Sequence, residues 1–134
     1  MPLRSNDTFG QPCPCGSGAG YQLCCGPLHH GERDAMTAEQ LMRSRYSAFA
    51  RGDSGYLFRT WHPRTRPAEV TTDADTVWTG LEVIDTVAGD TEDAHGIVEF
   101  AAHFEAAGRS GTMHERSRFE RRAGRWCYVD GDLE

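Results

Sequence analysis

The residues of this sequence best suited to specific chemistry are four cysteines that fall within thirteen positions near the N-terminus. They form a C-x-C pair and, after eight further residues, an adjacent pair: Cys13, Cys15, Cys24 and Cys25. Disulfide frameworks belong to secreted proteins, and the first twelve residues carry Arg4 and Asp7 with no apolar stretch typical of a secretory signal. We therefore expect reduced thiols in the cytoplasm. The C-x-x-C spacing of thiol redox sites is also missing.

Zinc binding is the interpretation that this spacing favours. A tetrahedral Zn²⁺ ion, with Zn–S distances of roughly 2.3 Å, can collect four thiolates from the two ends of a short segment. Three glycines between the cysteine pairs let the backbone turn sharply. The metal then supplies folding free energy to a segment that has few apolar residues. Adjacent cysteines need a particular backbone conformation to face one ion, so His29 or His30 remains an alternative to Cys25 as fourth ligand.

The segment from Pro12 to Gly26 resembles the SEC-C motif, a zinc motif best known from the C-terminal tail of the SecA translocase ATPase. All four cysteines and the Gly-Ser-Gly sequence at 16–18 match the motif position by position. The chain has Ala19, Gln22 and Leu23 where SEC-C members usually carry lysines. The resemblance implies a bound zinc ion and a protein partner that is contacted through this segment.

Two helices are predicted after the cysteines. Thr37 with Gln40 three positions later has the arrangement of a capping box, and Gly52 ends this first helix. Asp53 caps a second short helix, which Pro63 terminates. The second helix carries Tyr56, Leu57, Phe58 and Trp61. The remaining segments before the strands are interpreted as irregular: a mobile tail at 1–12, a connecting loop at 26–31, and a polar loop at 64–76.

The pattern then changes to that of β-strands, with alternating side chains most regular around residues 97–105. Four strands are predicted: Val77–Val87, 97–105, Met113–Arg121 and Arg125–Val129, the last two joined as a hairpin about Ala123-Gly124. Helices followed by antiparallel strands predict an α+β fold. We expect a curved antiparallel sheet of about four strands packed on N-terminal helices, a cystatin-like cone, preceded by a small zinc-binding knot. The knot is residues 1–31 and the cone domain is residues 32–134.

Five sequence blocks of the cone domain, in order, are similar to those of the YchJ family. They are Leu41-Met42-Arg43-Ser44-Arg45-Tyr46, Thr60-Trp61-His62-Pro63, Trp78-Thr79-Gly80-Leu81, Glu115-Arg116-Ser117-Arg118-Phe119, and Trp126 with Tyr128-Val129-Asp130-Gly131. With the cysteine segment, the resemblance covers nearly the whole chain. It implies an N-terminal SEC-C motif on a domain like nuclear transport factor 2 (NTF2).

The interior of such a cone is where we look for an active site. Cones of this type host isomerases and dehydratases in which a carboxylate or histidine moves protons. The catalytic candidates are His62, Glu82 and Asp130, with His103 and Glu115 as further acids or bases. Tyr46, Trp61 and Trp126 are expected to wall the cavity. The enzyme hypothesis requires a cavity lined by an acid or a histidine that has no salt-bridge partner.

Two arginines share one face of the third predicted strand. Arg116 and Arg118 are two residues apart, so they are able to bind a carboxylate or phosphate together. The alternative, which we favour, is a structural network with acidic residues such as Glu82, Glu99 or Glu115, because half-buried arginines need partners. Cys127, the fifth cysteine, is interpreted as a small buried apolar residue.

Composition argues against two classes of function, nucleic-acid binding and membrane spanning. The net charge of −6 argues against nucleic-acid binding, which depends on a basic face, and no apolar run approaches the ~20 residues of a membrane span. The sequence thus predicts a cytoplasmic zinc-binding protein of unknown process. Its knot would contact a protein partner, and its cone would offer a pocket to a small molecule. The alternative function is a small-molecule enzyme, an isomerase or dehydratase that uses this pocket.

Overall fold

The structure is a computed structural model that describes residues 11–134. Most of the predicted N-terminal tail lies outside the described residues. The elements in chain order are a 3₁₀ turn Tyr21–Leu23, helices α1 Cys25–His29, α2 Ala38–Arg51 and α3 Ser54–Arg59, and strands β1 Thr76–Ala88, β2 His95–Ala106, β3 Arg109–Arg122 and β4 Arg125–Leu133. The predicted order of helices followed by four strands is confirmed.

The four strands form one antiparallel sheet in the order β1-β2-β3-β4. Its regular pairing is interrupted between Trp78 and Gly80 and between Val83 and Asp85 in β1, and between Arg118 and Phe119 in β3. Such bulges bend a strand and increase its local twist, so the sheet curves around the helices. The curved antiparallel sheet packed on N-terminal helices is the fold that the sequence predicts.

Two tight turns join the last three strands. Ala107-Gly108 and Ala123-Gly124 each connect paired residues, and all four have φ between 54° and 82°. Positive φ at both central positions is the geometry of a type I′ hairpin turn, whose twist matches that of the flanking strands. The predicted hairpin about Ala123-Gly124 is confirmed. Alanine in the first turn position carries strain that glycine or asparagine avoids.

The two predicted helix starts have the expected caps. The Thr37 hydroxyl accepts the Gln40 amide at 3.0 Å, and the Asp53 carboxylate accepts the Tyr56 amide at 3.1 Å. The reciprocal bond of the capping box is shifted by one residue, because the Gln40 side chain accepts from the amide of Met36. Gly52 ends α2 with φ of 75°.

Two local predictions were wrong. Residues 26–31, expected to be a connecting loop, contain most of helix α1, which is buried at Cys25, Leu28 and His29 against the rest of the fold. Trp61 was placed in the second helix but lies beyond its end, where it pairs as a short bridge with Tyr128 of β4. Tertiary contacts outweigh local preference in both places, since neither segment is long enough to be stable alone.

One hydrophobic core runs through the whole described chain. Helix α2 contacts β1, β2 and β4, and its fully buried Leu41 belongs to the same core as Phe119 of β3. Cys13, Cys15 and Cys25 belong to the same core. The cysteine segment is therefore packed onto the cone rather than separated from it.

Candidate functional site

The sulfur atoms of Cys13, Cys15, Cys24 and Cys25 lie within 4.8 Å of one another. Sγ of Cys24 is 3.6 Å from Sγ of Cys15 and 4.0 Å from that of Cys25. Tetrahedral zinc with Zn–S distances of ~2.3 Å holds its sulfurs about 3.8 Å apart. All four cysteines are free thiols. The donor set and its spacing fit a four-thiolate metal site.

The backbone of the knot brings the two cysteine pairs together. The amide of Cys13 donates to the Ala19 carbonyl at 2.9 Å, and Pro12 pairs with Gly20, which closes the glycine-rich loop into a small hairpin. Gly16 and Gly18 have φ of 79° and 92°, values that favour glycine.

The adjacent cysteines meet the same point because the chain bends sharply between them. Cys24 lies at the junction of the 3₁₀ turn and helix α1, with φ of −123° and ψ of −98°. Cys25 is the first residue of α1 and is buried. This junction supplies the backbone conformation that two neighbouring ligands require.

Burial and hydrogen bonds within the cluster shift the pKa values of its thiols in opposite directions. Hydrogen bonds with Cys13 and Cys25 lower the pKa of Cys15 far below its ordinary value, whereas hydrogen bonds with Cys13 and Cys15, together with burial, raise the pKa of Cys25. Burial also raises the pKa of Cys24. Four thiolates so close together need a positive ion between them. Arg43 donates to the Cys15 carbonyl at 2.7 Å and adds a positive charge beside the cluster.

Neither histidine joins the sulfur cluster. The Nε2–H of His29 donates to the Ser44 carbonyl at 2.8 Å, and its Nδ1 accepts from the Tyr21 hydroxyl at 2.7 Å, so both ring nitrogens are occupied. Burial lowers the pKa of His29 and favours the neutral ring. His30 is half-exposed and faces Glu32 at 3.8 Å.

A second feature of the fold is a cavity of about 250 Å³ between helix α2 and the concave face of the sheet. Its walls are mostly aromatic and apolar: Met42, Tyr46, Phe49, Trp61, Trp78, Phe100, Ala102, Met113, Phe119 and Tyr128. Arg45, Glu115 and Ser117 are its polar residues. Tyr46 and Trp61 were predicted as walls, and Trp78 takes the place expected for Trp126, which is buried with its indole N–H donating to the Met36 carbonyl.

Arg45 contacts the ring of Tyr128, and Glu115 contacts its hydroxyl group. The Arg45 guanidinium carbon is 4.7 Å from the centre of the Tyr128 ring and 5.2 Å from that of Trp61. The Tyr128 hydroxyl and the Ser117 hydroxyl both donate to Oε2 of Glu115, at 2.8 and 3.0 Å. Desolvation lowers the pKa of Arg45 to about 10, so the side chain keeps its charge at neutral pH.

The structure places the three catalytic candidates away from this cavity. His62 lies 3.8 Å from Glu120, and its Nδ1 accepts the Arg64 amide. Glu82 is exposed on the outer face of the sheet beside His103. Asp130 accepts a hydrogen bond from Arg118. Of the five acids and bases considered from the sequence, Glu115 is the one that lines the cavity.

Sequence reasoning missed Arg45 as a cavity residue. Its neighbours in α2 fall on an apolar stripe, and an arginine inside that stripe was the available signal.

The strand arginines form the favoured structural network: Arg116 pairs with Glu99 at 2.8 Å and with Asp85 at 3.2 Å, and Arg118 pairs with Asp132 at 2.9 Å. Of the acids suggested as partners, Glu99 is confirmed. Cys127 is buried as expected, and burial raises the pKa of its thiol.

The fold and the cysteine cluster together define a class of protein: an NTF2-like α+β domain that carries an N-terminal SEC-C motif. The family model "YchJ, middle NTF2-like domain" matches residues 37–131, and the SEC-C motif model matches residues 11–27. The chain belongs to the YchJ family, whose relatives bear the name UPF0225.

The relatives and solved structures cover most of the chain. UPF0225 protein SCO1677 of Streptomyces coelicolor is 54% identical over 91% of this chain and 95% of its own, and a UPF0225 protein of Deinococcus radiodurans is 50% identical over 90% and 88%. The solution structure of a SEC-C motif containing protein from Rhodopseudomonas palustris has a TM-score of 0.79 at 35% identity, covering 91% of this chain and 98% of that one. A crystal structure of a SEC-C motif containing protein from Psychrobacter arcticus has a TM-score of 0.76 at 30% identity, covering 95% and 85%. Within residues 11–134, every helix is too short or too polar to span a bilayer.

Proposed function

We propose that this protein is a cytoplasmic zinc protein in which Cys13, Cys15, Cys24 and Cys25 hold one Zn²⁺ ion, and in which the knot presents a protein-binding surface on the cone domain. The observation that carries the proposal is the approach of four sulfur atoms to within 4.8 Å of one another. In a reducing compartment, four thiols so close together have metal binding as their stable state. The boundary between knot and cone domain is placed after residue 31.

The surface of the knot supports a role in contacting another protein. Leu23 is 78% exposed and stands beside the partly exposed Cys24, at one end of a shallow groove that continues to Thr37 and Arg43. Where SEC-C members usually carry lysine, Leu23 makes this part of the knot apolar. Apolar surface rimmed by polar residues is typical of protein contact sites, and Leu23 is the exposed large apolar side chain that this groove offers.

Metal content tests the first part of this proposal. Protein purified without added metal should contain about one zinc per chain, and a Cys13→Ser, Cys24→Ser double variant should contain none. Finding four alkylatable thiols and no metal in the folded wild-type protein would reject the zinc centre.

Affinity capture tests the second part. Leu23→Asp should retain zinc and lose the protein that the wild-type chain captures from a cell extract. Val77→Asp is the matched control, because Val77 is also exposed but lies on the cone domain. Equal capture by both variants would argue against the knot as the contact surface.

A second candidate function, proton-transfer catalysis in the cavity, is favoured by Glu115. This carboxylate lines the cavity and, within residues 11–134, has no ion-pair partner within 4.0 Å. Glu115 is thus an acid without a salt-bridge partner, as the enzyme hypothesis requires, although it is not one of His62, Glu82 and Asp130 and already accepts hydrogen bonds from the Tyr128 and Ser117 hydroxyls. A carboxylate in an apolar cavity that also holds an arginine is able to take a proton from a carbon next to a carbonyl group.

Tautomerisation of phenylpyruvate is a direct assay, since this compound has an aromatic ring and an acidic CH₂ group. Catalysis by wild-type protein that Glu115→Gln abolishes, with an unchanged melting temperature, would support the enzyme function. If phenylpyruvate tautomerises no faster with either protein than in buffer alone, this class of compound is excluded as a substrate.

A further inference from the structure

Arg45 is a buried cation with unused hydrogen-bond donors. The residue is only 6% exposed, and Nη1 donates to the Leu57 carbonyl at 2.8 Å and to the Thr60 hydroxyl at 2.7 Å. Within residues 11–134, Nε and Nη2 make no hydrogen bond and no carboxylate lies within 4.0 Å of the guanidinium. A buried charge that lacks an opposite charge is costly, and a guanidinium with free donors is a binding group for an anion.

The second unpaired group in the same wall is also a donor. The indole nitrogen of Trp61 is buried with no hydrogen-bond partner in the described part of the chain, and its ring lies under the Arg45 guanidinium. Native proteins pair nearly all their buried polar atoms, so an unpaired indole N–H beside an arginine needs explanation.

Glu115 is the hydrogen-bond acceptor of the cavity and, by contrast, already receives hydrogen bonds. Oε2 of Glu115 receives hydrogen bonds from Tyr128 and Ser117. Its position depends on Gly131 of β4, because a Cβ at residue 131 would overlap the Glu115 carboxylate. The cavity thus has an excess of hydrogen-bond donors, which favours a ligand that accepts hydrogen bonds over an amine that donates them.

The walls specify the rest of the ligand. Tyr46 and Trp78 meet edge-to-face with 6.0 Å between ring centres, and Trp61 and Tyr128 do so at 5.1 Å. These rings offer edges and faces to a flat apolar group. A volume of about 250 Å³ is slightly below the ~300 Å³ at which cavities for drug-sized ligands begin, so a single-ring compound fits best.

We propose that the cavity binds a small aromatic carboxylic acid, with its carboxylate on Arg45 and its ring against Trp61 and Trp78. This inference rests on the cavity being a ligand site and is independent of the zinc centre. It also assigns the role of binding group to Arg45, and Glu115 becomes the residue whose negative charge limits affinity for an anion.

The test compares three single-ring probes of nearly equal shape on the full, zinc-loaded chain: phenylacetate, the neutral phenylacetamide and the cationic phenethylamine. Binding is followed by the three tryptophan indole N–H signals in a ¹H–¹⁵N NMR titration. Phenylacetate should shift the signals of Trp61 and Trp78, which line the cavity, and leave that of Trp126 unchanged as an internal control. It should bind at least about tenfold more tightly than phenylacetamide, because hydrogen bonds to a charged group are the stronger ones.

Two variants separate charge from shape. Glu115→Gln keeps an acceptor for Tyr128 and Ser117 but removes the negative charge, so its affinity for phenylacetate should rise roughly three- to tenfold. Arg45→Gln should lose binding by about tenfold or more. If Arg45→Gln does not fold, the affinity of Glu115→Gln for phenylacetate alone decides whether the cavity binds an anion.

Tighter binding of phenethylamine, equal binding of acid and amide, or weaker binding of phenylacetate to Glu115→Gln would overturn the assignment to an acid. If phenylacetate shifts neither cavity tryptophan at any concentration tested, the cavity is not such a site. Zinc content and partner capture, measured on the same samples, report separately on the knot.

Discussion

Removing one thiolate should weaken the whole fold, because the knot and the cone domain share one core. Cys15 is fully buried in the sulfur cluster, and its carbonyl accepts a hydrogen bond from Arg43 of helix α2. Zinc contributes about 10–16 kcal/mol to the folding of small four-ligand sites. If the four thiolates share this equally, Cys15→Ser should lower the free energy of unfolding by roughly 2.5–4 kcal/mol. For a chain of this length, that corresponds to a melting temperature about 10–15 °C lower.

Tryptophan fluorescence is the appropriate assay, since all three tryptophans lie in the cone domain at positions 61, 78 and 126. The knot contains none, so their unfolding transition reports on the cone alone. Cys127→Ser is the matched control, because this buried thiol lies in β4 outside the cluster. It should keep zinc and melt within a few degrees of the wild type. A Cys15→Ser protein that has lost zinc but melts with the control would show that the knot does not stabilise the cone.

Three further predictions concern stability. Ala123→Asn should raise the free energy of unfolding by roughly 0.5–1 kcal/mol in urea titrations, since asparagine tolerates the positive φ of this turn better than alanine; no change would argue against the type I′ geometry. Thr37→Ala should lower it by about 1 kcal/mol through loss of the α2 cap, whereas Thr37→Ser should be nearly neutral. Burial lowers the pKa of His29 below 6.5, so the unfolded chain binds a proton that the folded chain does not, and stability is full above pH 6.5 and declines as the pH falls below it. His29→Gln should flatten this part of the pH profile, and an unchanged slope would contradict the assignment.

Much of the fold follows from local patterns in the sequence. The caps at Thr37 and Asp53 and the turn at Ala123-Gly124 depend on residues within a few positions of one another, so they could be predicted from the chain alone. The strands follow from alternation of side chains, which has a period of two whatever lies on either side of the sheet. Helix α1 could not be predicted this way, because a five-residue helix owes its stability to the core that buries it.

The sequence by itself predicted a four-ligand cluster that includes Cys13, Cys15 and Cys24, because a glycine-rich loop lets the C-x-C and C-C ends approach each other. It left the fourth place open between Cys25 and His29 or His30, and the tertiary structure puts the Cys25 sulfur in the cluster while both ring nitrogens of His29 are hydrogen-bonded elsewhere. Only the tertiary structure decided which residues face the cavity. Glu115 and Arg45 are 70 positions apart, and both come to line the cavity and contact Tyr128 through the curvature of the sheet and its packing on α2. His62, Glu82 and Asp130 have suitable chemistry but lie outside the cavity, since a side chain's face depends on strand register and bulges that are set by long-range pairing.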